Sequence, residues 1–395
     1  MTLSNMTAIP LRANKGKLGI YVHFPFCYQK CDYCDFYSEG IGKENSPLEK
    51  QLFNAYKLEF LERKKLGKEC TSFEVDSIFF GGGTPSKAEP SLWRDLLQFL
   101  QNELNISKGV EITLEANPED LSLEAMGEWQ AAGINRLNIG VQTRAKAGLT
   151  YLGRYVDEKK YQALDSLCKN SPIPRLGVDL MYGIPGQSFQ DFLEDLDSFL
   201  SLPLAHFSMY SLTVEKGTAY SRQVNEKRKE SPNEELQYQV LEYLPERMKT
   251  EGFEWYEVSN YARNGAFSRH NLRYWMYEPY LGLGPGAHGF IDQNRYGNPR
   301  NTGKYLKDPM SAKSEPASPA IELALTLFRI FLPMDLLSFT SMHLNEREQE
   351  SYLRTILDWQ SKGLCLWNGR IFHWKESAIF KLDDLILQLC TTLEN

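Results

Sequence analysis

Short runs rich in β-branched and aromatic residues, each bounded by Gly, Pro or Asn, recur at 19–24, 75–80, 110–115, 136–142, 176–182 and 206–213, and this pattern predicts strands. Between them lie longer stretches, at 48–64, 92–104, 121–132, 159–168 and 189–200, with apolar residues three or four apart, the spacing of an amphipathic helix. Strand and helix alternate about six times. Such alternation implies an α/β fold with parallel strands joined by crossover helices, here a partial (β/α)6 barrel over 18–231. Polar and Gly-rich residues gather at the C-terminal ends of several strands, which places the working surface on that face.

Beyond residue 231 the pattern loosens. A helix at 234–250 leads into an aromatic-rich stretch, so 232–306 reads as an elaborated extension packed on the barrel edge. Residues 307–319, rich in Lys, Ser, Pro and Ala, read as a linker. The remainder, 320–395, shows helical periods, a turn-and-strand passage at 367–373 and a last helix, a small, mostly helical, winged-helix-like C-terminal module. The N-terminal segment 1–17 is polar and lacks an apolar stretch ahead of a small-residue cleavage site. Nor does any run of apolar residues reach the length of a membrane span, so a cytoplasmic chain without an integral membrane segment is expected.

Charge and cysteine usage narrow the chemistry. A net charge of −7 supplies no global basic field, which argues against a nucleic-acid partner. The seven cysteines are unevenly spread, with Cys27, Cys31 and Cys34 crowded together, as suits metal ligation in a reducing compartment better than a disulfide framework. Cys70, Cys168, Cys365 and Cys390 are scattered and read as ordinary buried cysteines.

The triplet Cys27-Tyr-Gln-Lys-Cys31-Asp-Tyr-Cys34 directly follows the first predicted strand. Three thiolates on a tight loop can hold three irons of a 4Fe-4S cluster and leave the fourth iron open to an external ligand. They can equally hold zinc, with His23 or Asp35 as fourth ligand. What separates these readings is whether later strands carry residues for a second ligand.

They do so in a recognisable order. Tyr21-Val-His-Phe-Pro-Phe-Cys27, Gly81-Gly-Gly-Thr-Pro85, Gly140-Val-Gln142 and Asp179-Leu-Met-Tyr-Gly-Ile-Pro-Gly186 resemble the motifs of the coproporphyrinogen dehydrogenase-like branch of the radical SAM superfamily. Within that branch, Arg269-His-Asn-Leu-Arg-Tyr-Trp275 is similar to the HNxxYW motif of the radical SAM heme chaperones, and Tyr280-Leu-Gly-Leu-Gly-Pro-Gly-Ala-His-Gly289 follows it. The resemblance implies a radical SAM barrel holding a 4Fe-4S cluster, with S-adenosylmethionine (SAM) on the open iron.

It also implies roles that suit the residue types. Gly82, Gly83 and Thr84 would let main chain approach the amino group of SAM. Glu115, Gln142 and Asp179, each at a strand end, would accept from ribose hydroxyls or an ammonium, and Arg154 would match the SAM carboxylate with its planar fork. Tyr21 would support the methionine end, and the backbone of 210–212 would read adenine. Taken singly, each is an ordinary strand-end residue; their joint placement points to one ligand.

Two departures bear on function. The dehydrogenases of the branch carry a fourth cysteine two positions after the third, where this chain has Phe36, and the heme chaperones often show LGRxH where it has Leu152-Gly-Arg-Tyr-Val156. Phe36 and the HNxxYW stretch favour, by this resemblance, a chaperone that binds heme, with His270 as the candidate contact to iron, and delivers it to heme proteins, with an electron donor serving the cluster, while Val156 leaves the chaperones' LGRxH histidine without a counterpart. The alternative is an oxygen-independent coproporphyrinogen III oxidase, forming protoporphyrinogen IX by radical oxidative decarboxylation in porphyrin biosynthesis.

Overall fold

The computed structural model describes residues 11–14, 16–41, 48–66 and 73–394. Chain order begins with strand β1 (Lys17–Phe24), the short pair β2 (Phe26–Cys27) and β3 (Glu39–Gly40), and helix α1 (Leu48–Leu66). Strand and helix then alternate: β4 (Glu74–Gly82), α2 (Pro90–Glu103), β5 (Asn105–Ala116), α3 (Leu123–Ala132), β6 (Arg136–Gln142), α4 (Lys146–Tyr151), α5 (Glu158–Lys169), β7 (Arg175–Tyr182), α6 (Phe189–Leu200) and β8 (His206–Ser211). Local chemistry sets the helix ends. Pro90 opens α2, Ser122 caps α3 by accepting from the Ala125 amide, and Ser188 and Asp191 form a reciprocal capping box on α6.

Next come α7 (Ala219–Asn225), α8 (Glu234–Thr250), β9 (Glu254–Glu257), β10 (Asn260–Ala262), α9 (Arg269–Trp275), β11 (Tyr280–Leu283), β12 (His288–Ile291), β13 (Asn294–Gly297), α10 (Thr302–Lys307) and β14 (Lys313–Pro316). Of β1 to β14, all but β2 and β3 join one sheet in the order β14-β13-β12-β11-β1-β4-β5-β6-β7-β8-β10-β9. The six strands of the βα repeat run parallel, as the alternation predicts, and β11 adds a seventh parallel strand against β1, with Gly19 opposite Tyr280. The expected edge extension is therefore part of the central sheet on the β1 side. It also supplies the antiparallel strands beyond β8 on the other side.

The stretch read as a linker, 307–319, is corrected likewise: β14 within it pairs antiparallel with β13 and forms the sheet edge. Lys, Ser, Glu and Pro in that strand are the residues that discourage edge-to-edge pairing, so a linker-like composition and an edge strand look alike in sequence. Apolar side chains of the parallel strands and of α1, α2, α5, α6 and α8 make one core, among them Val22, Phe80, Trp93, Leu137 and Phe199.

A second core lies under the C-terminal module. Here α11 (Pro319–Leu327), β15 (Met334–Asp335), α12 (Leu336–His343), α13 (Glu346–Ser361), β16 (Cys365–Trp367), β17 (Ile371–Trp374) and α14 (Leu382–Glu394) follow in order, with a small sheet ordered β15-β17-β16. Helix, strand, two helices and a β-hairpin make a winged-helix arrangement, with α14 added. Cys168, Cys365 and Cys390 are buried as expected; Cys70 lies outside the described residues. Among the described residues no helix is long and apolar enough to cross a membrane.

Candidate functional site

The C-terminal ends of the parallel strands meet the cysteine loop. That loop is pinned at several points: β2 pairs with β3, Asp32 accepts from Lys229 at 2.8 Å, its amide donates to the Leu152 carbonyl, and the Gln29 amide group donates to Gly153. The Gly-Gly-Gly-Thr turn after β4 is tied to the same loop, with the Gly83 amide donating to Phe24 and that of Thr84 to Phe26. Gly83 has no room for a side chain, since a Cβ there would sit 2.8 Å from the Phe26 carbonyl oxygen. The turn can approach the cysteines because it is glycine.

A cavity of about 470 Å³ lies between loop and strand ends. Cys27, Cys31, Cys34, Gly82, Gly83, Thr84, Glu115, Gln142, Arg154 and Asp179 all line it, as do residues 210–212. Thus the structure brings together every sequence-derived cluster and nucleotide residue except Tyr21. Tyr21 instead faces an adjoining cavity, beside Phe79 and His270, whose rings stack on each other with centroids 5.2 Å apart. It lies deeper along β1 than the strand end, in a cavity that shares Gly82 and Glu115 with the first.

The site fits a cationic nucleotide on a metal cluster. Glu115 and Asp179 face the cavity with no Lys or Arg in salt-bridge contact among the described residues. Burial, then the charge of Asp179, pushes the Glu115 carboxyl up to about 8, and burial pushes Asp179 up to about 6. Both would relax against a sulfonium, an ammonium or ribose hydroxyls. Arg154 donates to Asn117 Oδ1 at 2.9 Å and to the Gly140 carbonyl, while its buried Nε has no partner and its charge faces Cys31. Gln142 takes a left-handed φ of 70°, held there by a bulge in the β6–β7 pairing, the kind of strain that persists where surrounding structure over-determines it.

Both candidate fourth ligands of the zinc alternative have other partners. His23 is buried with Nδ1 hydrogen-bonded to Tyr21 Oη at 3.0 Å and Nε2 to the Tyr37 carbonyl at 2.7 Å, and Asp35 pairs with Arg300 at 3.6 Å. The thiols themselves are held protonated by burial, most strongly Cys34, which is pushed to about 12; a bound iron is what would draw off these protons.

The adjoining cavity, about 510 Å³, shares Asp35, Phe36, Gly82, Glu115, Asn138, Asp179 and Tyr210 with the first. Helix α9 closes one side of it. The first turn of α9 sits on the Glu111 carboxylate, which accepts from the amides of Arg269 at 2.9 Å and His270 at 3.3 Å. Arg273 anchors the last turn, buried between Glu278 at 3.0 Å and Asp76. These contacts set His270 in the wall with both nitrogens engaged, Nδ1 to Ser77 Oγ at 3.1 Å and Nε2 to Tyr274 Oη at 2.9 Å. An iron ligand on His270 would have to break one of them.

Comparison with known proteins now decides the family. The radical SAM superfamily profile matches residues 21–199. The chain is 32% identical over 402 residues to radical S-adenosyl methionine domain-containing protein 1, mitochondrial, of Bos taurus, covering 96% of this chain and 88% of that one. It is 35% identical over 277 residues to heme chaperone HemW of Bacillus subtilis, covering 70% and 71%, and 31% identical to HemW of Buchnera aphidicola from Acyrthosiphon pisum, covering 80% and 84%. The chain belongs to the HemW family of radical SAM proteins. The solved coproporphyrinogen III oxidase (HemN) of Escherichia coli superposes with a TM-score of 0.78 over 98% of this chain and 92% of that one; at 18% identity it shares the fold.

Seen within the HemW family, several site residues escaped sequence reasoning. Asn138 is buried on β6 with its Oδ1 unpartnered and lines both cavities, and Asn117 holds Arg154. The signal was present in β6, where Asn138, Gly140 and Gln142 alternate with apolar residues and so share one face. Phe36, in the place of the dehydrogenases' extra cysteine, is 67% exposed and stands where the two cavities meet.

Proposed function

We propose that this protein is a cytoplasmic heme carrier: it binds heme in the aromatic cavity beside a 4Fe-4S cluster on Cys27, Cys31 and Cys34, and passes it to heme proteins. The observation that carries the reading is the adjoining pair of cavities. One is lined by thiols and strand-end carboxylates, the other by Tyr37, Phe79, Tyr274, Trp275, Tyr280 and Phe290, the aromatic lining that a flat apolar macrocycle needs.

When bound, such a cluster offers one iron to the amino and carboxylate groups of SAM and can supply the electron that cleaves a carbon–sulfur bond, drawn from a reducing partner. The chain's own residues do the rest. Arg154 holds the carboxylate, the backbone at Gly82 and Gly83 meets the amino group, Glu115, Gln142 and Asp179 take the ribose side, and 210–212 lies against adenine. Phe36 stands at the junction of the cavities and offers no thiol there.

The test is anaerobic. Reconstituted protein should bind heme with a Soret band and should release no carbon dioxide from coproporphyrinogen III with SAM and a reductant. Sustained release would replace the carrier with an oxidative decarboxylase.

A further inference from the structure

Of the six histidines, three belong to the cavity region, and two of those, His23 and His270, have both ring nitrogens bonded within the protein. The third is His288, at the start of β12. It lines the aromatic cavity and is exposed, and neither ring nitrogen has a hydrogen-bond partner among the described residues. Its ring lies over Gly297, its cross-strand partner on β13, where a Cβ would come within 3.0 Å of Cε1. A glycine at that position gives the imidazole its seat.

Cations flank it. Phe290 shares the cavity face of β12 with His288, and opposite Phe290 stands Arg295, its guanidinium 4.8 Å from the Phe290 ring centroid and paired with Glu322. Arg300, just past β13, reaches the cysteine loop at Asp35 and is largely exposed, so donors remain for another anion. The three side chains thus combine a free imidazole, two guanidiniums and an aromatic wall in one cavity.

We infer that His288 is the axial ligand to the iron of heme in this cavity, and that Arg295 and Arg300 receive its propionate carboxylates. The assignment rests on the carrier reading.

Heme and iron-free protoporphyrin IX, titrated separately into the reconstituted protein, give the test. His288→Ala should shift the Soret band and weaken heme binding at least about 10-fold, leave protoporphyrin IX binding unchanged, and regain the original spectrum on addition of free imidazole. The pair Arg295→Gln and Arg300→Gln should weaken both ligands about equally. A His288→Ala protein with the wild-type spectrum and heme affinity overturns the ligand assignment, and arginine variants that bind both ligands undiminished overturn the carboxylate sites. Failure of the wild type to bind heme is a separate result, which removes the carrier reading itself.

Discussion

Replacing Glu115 by Gln should make the metal-free protein more stable above neutral pH, and the structure gives the size of the effect. Burial and Asp179 push the Glu115 carboxyl from 4.5 to about 8. Between these values the folded chain keeps a proton that the unfolded chain releases, so stability falls as pH rises through the window. At ~1.4 kcal/mol per pH unit the span is worth ~5 kcal/mol as an upper bound. Glu115 lines a cavity that admits water, and Asp179 titrates with it, so about half of this, ~2 kcal/mol, is the expected gain for Glu115→Gln near pH 8.5. Near pH 5, where the wild-type carboxyl is already protonated, the gain should vanish. Urea unfolding of both proteins at several pH values reads this directly. Identical pH profiles would refute the reasoning, because a carboxyl that costs nothing to ionise is not desolvated and needs no cationic ligand.

Cys31→Ala should abolish the cluster, read as loss of iron, sulfide and brown colour after anaerobic reconstitution; full retention would show that the metal sits elsewhere. Arg273→Met should destabilise the protein by ~3–5 kcal/mol in urea, because it leaves Glu278 buried beside Asp76 without their shared cation. A change within ~0.5 kcal/mol would mean that water already serves those carboxylates.

The strand–helix alternation of 18–231 was readable because the parallel strands carry short β-branched and aromatic runs bounded by Gly, Pro or Asn, and the segments between them carry apolar residues at helical spacing. The cluster loop was readable too, since thiol spacing on a short loop is a local property. Non-local pairing was not. The place of β11 beside β1 depends on Gly19, which leaves space for the Arg273 side chain, with Arg273 Cδ 2.5 Å from where a Cβ would stand. Nothing near Tyr280 announces that neighbour. The state of each histidine was equally hidden: His270 has a motif around it and His288 ends a glycine-rich run, yet only the hydrogen bonds from Ser77 and Tyr274 reveal which ring is free.

The seat of β11 also bears on how the chain is made. Until residue 280 has left the ribosome, β1 offers an unpaired parallel edge, with Leu18, Ile20, Val22 and Phe24 along one face, to any strand nearby. The N-terminal half must then wait, half-closed, for a segment synthesised long after it. Nascent chains stalled before that point should be the ones that chaperones hold and that aggregate first.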